Sequence, residues 1–185
     1  MSKNFVSLAC AIACSFIWGT AFIAQDMGMD FIGPYTFSAV RLALGFLALL
    51  PFFFIFEYQK VKNTRLELKF IIGYLFLLGF FLAGGNIFQQ VSLLYTDVAN
   101  SAVFTVLYVV IVPVIAYFLF SKKIHNSVWP SVLMCLIGGL LLSELDNIRV
   151  RFGDSLVIVG AFFWAFHIVF ISKFLKVFNY PISIA

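Results

Sequence analysis

The sequence contains little charge for its length. Only 11% of its 185 residues are Asp, Glu, Lys or Arg, whereas 63% are hydrophobic and 19% are aromatic. A soluble domain is about a quarter charged, because its surface must be hydrated. The composition therefore excludes a water-soluble globule and indicates that most of the chain faces hydrocarbon, where only helices or a closed barrel satisfy every backbone group.

Cysteine and catalytic motifs are also scarce. The three cysteines, Cys10, Cys14 and Cys135, lie inside apolar segments, and no His or carboxylate accompanies them as in a zinc site. The chain has no Gly-rich phosphate loop, no His-Glu metal motif and no serine nucleophile with a base. These absences argue against an enzyme, including one that acts on lipid, and we expect neither a cofactor nor a metal.

Long uncharged runs are what the chain does contain. Leu, Phe, Ile and Val follow one another on consecutive positions, which favours helices over the alternating pattern of a barrel. Each run is close to the roughly 20 residues that cross a bilayer. The sequence predicts an all-α integral membrane protein of about six transmembrane helices, at 4–25, 31–56, 70–96, 98–121, 124–143 and 155–172.

Positive charge is unevenly divided between the two ends of these helices. If six spans alternate in direction, nine Lys and Arg residues fall on the side of the amino terminus, and only Arg149 and Arg151 fall on the other. Cytoplasmic loops are enriched in Lys and Arg. We therefore expect an inner or plasma membrane protein with a cytoplasmic amino terminus. Because the basic residues lie in short loops and form no patch, we expect no nucleic-acid partner.

Two short patterns recur at nearly the same offset. The residues around Trp18 resemble those around Trp164, 146 positions later, and the segment opened by Pro34 resembles the one opened by Pro181, 147 positions later. The interpretation is a unit of about five spans that starts again, with coincidence among Phe-rich helices as the alternative. An odd number of spans makes the second unit insert upside down, as in many secondary transporters.

The repeat also predicts the domain organisation. Residues 1–145 would form one complete five-helix repeat, and residues 146–185 would begin an inverted second repeat. A complete protein of two such units would need roughly 290 residues. We therefore expect this chain to be a fragment, with only half of any site that forms between the repeats.

Polar side chains within the predicted spans are candidates for a substrate path, because each costs several kcal/mol in hydrocarbon without a partner. Arg41 lies about 10 Å along the second span from Pro34. It could bind an anionic substrate, or it could pair with Asp26, Asp30 or Asp97 or donate to helix carbonyls. Asn86 and Gln90 share one face of the third span and either line a site or fasten helices together.

Aromatic residues form a second group of candidates. Trp18 and Trp164 lie nearer the middle of their spans than the headgroups, so they either wall a central cavity or pack as ordinary core. Tyr108 precedes Pro113, where the missing backbone donor predicts a kink. His167 follows Trp164 by one turn, and a neutral hydrogen-bonded imidazole is favoured over a proton-coupling group because no intramembrane acid is near.

Several patterns, in this order and spacing, resemble the EamA-type transporters of the drug/metabolite transporter superfamily along the whole chain. They are Ser15 to Thr20, Pro34 with Arg41-Leu42-Ala43, Tyr95 to Ala102 leading to Pro113, Gly138-Gly139, and Gly153-Asp154 before Ala161 and Trp164-Ala165. The resemblance implies ten helices in two inverted five-helix repeats, alternating access and a central cavity for small metabolites or drugs. The chain departs from the family in Lys122-Lys123, where an acidic residue is usual, and in the absence of helices seven to ten.

The functional expectation is a permease that moves a small-molecule substrate across the lipid bilayer. Its cavity would lie among the first, third, fourth and sixth spans, and the candidate residues are Trp18, Arg41, Asn86, Gln90, Tyr108, Trp164 and His167. The alternative is a non-transporting scaffold, or a half-transporter that works only as a homo-oligomer through its small-residue helix faces.

Overall fold

The computed structural model describes residues 3–64, 66–121, 124–142 and 151–185, and all regular secondary structure in these ranges is helical. The helices are α1 (Lys3–Met29), α2 (Pro34–Phe52), α3 (Tyr58–Lys62), α4 (Leu68–Ser92), α5 (Val98–Thr105), α6 (Tyr108–Phe120), α7 (Val128–Leu142), α8 (Phe152–Phe174) and α9 (Pro181–Ile184). Five segments are long and apolar enough to cross a membrane, and α7 is a shorter apolar helix. The expected all-α membrane protein of about six spans is confirmed.

The second span extends beyond its expected end at Phe56. Pro51 lies within α2 and lacks a backbone donor. A π-helical turn, Phe53–Glu57, follows and leads directly into α3, so that the apolar helix continues to Lys62. Glu57, the charge that ends the expected run, has its side chain buried within the protein, at 4% exposure.

The fourth span is interrupted at Val106 and Leu107, between α5 and α6. The expected position of the bend, Pro113, lies instead inside α6. Just before the interruption, the Thr105 hydroxyl donates to the Ser101 carbonyl at 2.8 Å. Such a bond back along a helix bends it. The Leu107 amide then bonds to a carbonyl only three residues earlier, which tightens the turn.

Helix α8 lies at the centre of the bundle and packs against α4, α5 and α6. One face of α8 is made of small or branched residues, and Val157, Ala161 and Ala165 on it are at most 1% exposed. Glycines bring α8 close to α4, since a Cβ on Gly160 would lie 3.3 Å from the Gly85 carbonyl oxygen. Close approach through small residues is the usual packing of membrane helices. By contrast, α1 and α2 bury few residues and expose long apolar faces.

The two ends of the bundle carry opposite charge. The acidic end, where α1 and α4 finish and α8 begins, carries Asp26, Asp30, Asp97, Asp154 and Arg151, and the basic end carries Lys60, Lys62, Lys69, Lys173 and Lys176. The boundary expected between residues 145 and 146 lies outside the described residues. So do Arg65, Lys122, Lys123 and Arg149.

A buried hydrogen bond and an exposed ion pair join α8 to the loop between α4 and α5 at the acidic end. The Thr96 hydroxyl donates to Asp154 Oδ1 at 2.5 Å, and Asp154 Oδ2 accepts the Arg151 backbone N–H at 2.8 Å. The Arg151 guanidinium also pairs with Asp97 at 2.6 Å, but both side chains are largely exposed. Burial makes the Thr96–Asp154 bond the stronger of the two links.

The variant Thr96→Val is expected to lower the free energy of unfolding by about 1–3 kcal/mol, because it leaves a buried carboxylate oxygen without its donor. The matched control is Asp97→Asn, which removes the exposed ion pair and is expected to cost less than about 1 kcal/mol. Apparent melting temperatures of the two purified variants in detergent measure the difference. Equal losses would contradict the assignment of the link to Thr96.

At the basic end, Glu57 joins the second span to the start of α9. Its carboxylate accepts the backbone N–H groups of Ile182 at 3.0 Å and Ser183 at 2.7 Å, and also the Ser183 hydroxyl at 2.6 Å. A carboxylate that accepts the first free amides of a helix is favourably placed. Beside it, Phe174 and Phe178 pack with Ile71 in a buried apolar cluster.

Candidate functional site

Three aromatic residues from three spans meet inside the bundle and form what we call the aromatic cluster. Trp18 of α1 stacks on Tyr108 of α6 with ring centroids 6.2 Å apart and planes 15° from parallel. Trp18 also contacts Trp164 of α8, with centroids 5.6 Å apart. These separations are those of attractive aromatic pairs. All three side chains are half-buried, so each ring keeps part of its surface accessible.

A glycine on the third span makes room for one of these rings. A Cβ on Gly85 of α4 would lie 3.1 Å from Trp164 Nε1, so a larger residue there would push the indole slightly away from the helix. The indole N–H is buried and has no partner among the described residues. Such a donor is costly unless it serves a ligand or water. The cluster thus joins elements of the first, third, fourth and sixth spans.

Arg41 and Asn86 form a polar pair between α2 and α4. Arg41 Nη2 donates to Asn86 Oδ1, and Asn86 Nδ2 donates to the Leu82 carbonyl at 2.9 Å. The expected alternative of an acidic partner for Arg41 is not what the structure shows, since Asp97 pairs with Arg151 instead. Within the described parts of the chain, the guanidinium therefore carries a charge in a span without an acidic side chain to neutralise it.

Gln90 contacts α1, through a residue that the sequence did not single out. Its Nε2 donates to the backbone carbonyl of Gln25 at 3.3 Å, and Gln25 Nε2 donates to the Ala21 carbonyl at 3.1 Å. Gln25 was overlooked because it is the last residue of the expected first span. Its spacing of seven residues from Trp18, which places both on one helix face, was the signal available.

The remaining buried polar residues of α4 fasten it to α5. Gln89 Nε2 donates to the Thr105 hydroxyl at 2.9 Å. Ser92 donates to the Gln89 carbonyl at 2.6 Å, and its hydroxyl lies 3.2 Å from that of Ser101. These groups satisfy one another, which is the role of interhelical polar glue in membrane bundles.

His167 lies behind the aromatic cluster. Its Nδ1 is 3.0 Å from the Leu78 carbonyl oxygen, and its ring meets Trp164 edge-on at a centroid distance of 6.2 Å. A carbonyl oxygen can only accept, so Nδ1 must carry a proton. The imidazole thereby holds one side of the Trp164 ring in place.

An apolar groove of about 470 Å³ also lies between α6 and α7, lined by Val114, Tyr117, Phe118, Ile124 and Trp129. Its lining shares no residue with the aromatic cluster, and the groove is open to the surface. Its lining offers little polar surface, as suits a face toward hydrocarbon.

These features define a multi-pass membrane protein whose interior polar and aromatic groups gather between spans. The EamA-like transporter family matches residues 6–144, and the chain belongs to this family. Membership in a transporter family of the drug/metabolite superfamily also points away from an enzyme. No solved structure matches the chain.

Three relatives carry the name of uncharacterized transporters. One from Archaeoglobus fulgidus is 27% identical over 179 residues, which is 97% of this chain and 53% of the relative. YwfM of Bacillus subtilis is 30% identical over 87% of this chain and 53% of its own length, and YoaV of the same species is 28% identical over 86% and 54%. The chain thus spans about half the length of the curated relatives it matches.

Proposed function

We propose that this protein moves a small metabolite or drug by alternating access, along a path lined by Trp18, Tyr108 and Trp164. The observation that carries the proposal is the buried indole N–H of Trp164, which has no partner among the described residues and lies beside two accessible aromatic faces. The rings would stack on the apolar or planar part of the solute, and the N–H would donate to it.

Arg41, Asn86 and Gln90 would bind the polar part of the same solute. Arg41 lacks an acidic partner among the described residues, so it can offer donors to an acceptor or anionic group. His167 would act as a positioning residue for Trp164 rather than as a proton carrier, because its Nδ1 already bonds to the Leu78 carbonyl. The excess of lysine at the basic end supports a cytoplasmic amino terminus, with the acidic end on the outer side of the plasma membrane.

The variant Trp18→Ala is expected to reduce solute flux at least about tenfold, since it removes the ring that contacts both other members of the cluster. Mass spectrometry of cells and medium, with and without the gene, first identifies the solute whose distribution depends on the protein. Flux of that solute is then measured in vesicles. The control is Trp129→Ala on α7, a half-exposed indole outside the cluster, and equal flux in the two variants would contradict the proposed path.

The second candidate function is a scaffold or half-transporter that acts as a homo-oligomer. The specific observation in its favour is that the small-residue face of α1, including Cys10 and Cys14, is exposed rather than packed within the bundle. Oxidative cross-linking in native membranes tests it. A dimer formed through Cys10 or Cys14, together with unchanged flux in Trp18→Ala, would favour this function over the permease.

A further inference from the structure

Three buried polar oxygens lie near the acidic end with no hydrogen-bond partner among the described residues. They are Gln25 Oε1, Ser38 Oγ and Gln90 Oε1. Their residues are 1%, 3% and 0% exposed, respectively. Buried polar side-chain atoms nearly always have a partner in proteins, so three without one require an explanation.

The orientation of the two amides follows from their other contacts. Gln90 Nε2 lies against the Gln25 carbonyl, and Gln25 Nε2 lies against the Ala21 carbonyl. A carbonyl oxygen can only accept, so the nitrogen of each amide must face it. The atoms left over are therefore both carbonyl oxygens, and each can only accept a hydrogen bond.

Helix register places Ser38 at the same level of the bundle as Gln25 and Gln90. Ser38 precedes Arg41 by one turn, and Arg41 bonds to Asn86, which precedes Gln90 by one turn. Helices α2 and α4 run in opposite directions, since Val61, beyond the end of α2, packs against the cluster at the basic end that includes Ile71 near the start of α4. The turn before Arg41 thus lies level with the turn after Asn86, and the bond from Gln90 to the Gln25 carbonyl places the end of α1 at this level too. We call these three residues, one each from α1, α2 and α4, the acidic-end subsite.

We propose that the acidic-end subsite, formed by Gln25, Ser38 and Gln90, binds an uncharged N–H or O–H donor group of the transported solute. The inference rests on the proposed function and adds the chemical class of the group recognised. The two amide oxygens require donors, and the Ser38 hydroxyl can accept one as well. The guanidinium of Arg41 one turn deeper disfavours a cation such as sodium or an alkylammonium. A carboxamide or a pair of hydroxyls satisfies both conditions.

Cysteine labelling tests whether the subsite is reached by solute. In the protein with Cys10, Cys14 and Cys135 replaced by alanine, Ser38→Cys is expected to react with a membrane-impermeant thiosulfonate. The neighbouring Ala39→Cys is the control, because Ala39 is exposed on the bundle surface that would face lipid, where a thiolate does not form. Equal inertness of both cysteines would overturn the subsite and indicate a closed site filled by water.

Matched probes test which chemistry the subsite takes. Nicotinamide and xylitol, which carry uncharged donors, are expected to slow the labelling of Ser38→Cys at least about tenfold at saturation. N,N-dimethylnicotinamide, which lacks the amide donors, is expected to have no effect, as are sodium and methylammonium. Protection by either cation, or no protection by the donor probes, overturns the proposed class.

A stability measurement separates this inference from the proposed function. Gln25→Met and Gln90→Met remove the free acceptors at nearly constant volume, but they also remove the hydrogen bonds that the amide nitrogens donate. These two effects oppose each other, so the melting temperature is expected to change little while flux falls. A large decrease of the melting temperature in both variants with unchanged flux would mean that the amides only fasten helices, which overturns the subsite. If flux nevertheless depends on Trp18, the transport path itself still stands.

Discussion

The variant Gly153→Ala is expected to lower the free energy of unfolding by about 3 kcal/mol, at the upper end of the range for overpacked sites. A Cβ on Gly153 would lie 2.8 Å from the Ser92 carbonyl oxygen, the Tyr95 carbonyl carbon and Thr96 Cβ. Two of these neighbours are backbone atoms, which cannot rotate aside as a side chain would. The first turn of α8 must therefore move away from the end of α4, and a lower melting temperature in detergent measures the cost.

The matched control for this variant is Gly73→Ala on α4. A Cβ on Gly73 meets nothing within 4 Å, so alanine brings no clash and gains up to about 1 kcal/mol of helix propensity. Its melting temperature should equal or exceed that of the parent. Equal melting temperatures of the two variants would contradict the close contact between the end of α4 and the start of α8.

The variant Glu57→Ala is expected to destabilise the basic end by about 3 kcal/mol. It removes three hydrogen bonds to a carboxylate that is 4% exposed, and bonds to charged groups are worth more than neutral ones. The amides of Ile182 and Ser183 should then exchange with solvent much faster. Hydrogen exchange read by mass spectrometry reports this locally, and the melting temperature reports it globally.

Glu67→Ala provides the control at the same end of the bundle. Glu67 precedes α4, is exposed and makes no capping bond through its side chain. Its loss is expected to leave both the melting temperature and the exchange of Ile182 unchanged within about 0.5 kcal/mol. If Glu67→Ala accelerates exchange as much as Glu57→Ala does, the effect comes from net charge and not from the described bonds.

Composition and run length were enough to predict the helical membrane fold, because hydrocarbon leaves the backbone few choices. The position of Trp18 and Trp164 within their spans pointed to the residues that the structure brings together. Glu57 could not be assigned in this way, since its partners lie 125 and 126 residues further along the chain. Hydropathy reports whether a charge interrupts a run, not what the charge contacts.

The spacing rules within a helix explain the remaining successes and failures. Asn86 and Gln90 were correctly placed on one face, but their partners Arg41 and Gln25 come from other helices, whose register is set by packing. The interruption at Val106 was missed because the sequence-based argument looked only at Pro113. A threonine hydroxyl that bonds to its own backbone leaves a weaker trace in a sequence than a proline does.

The link made by Glu57 also constrains the order in which the chain can be assembled. The second span is synthesised long before residues 182 and 183, so the carboxylate must wait without these partners while the later helices insert. Glu57 lies 23 residues beyond Pro34, about 35 Å along the helix and so past a hydrocarbon layer about 30 Å thick. At that depth the carboxylate can stay hydrated until residues 182 and 183 are synthesised. The amides of α9 then replace the water molecules that bind it.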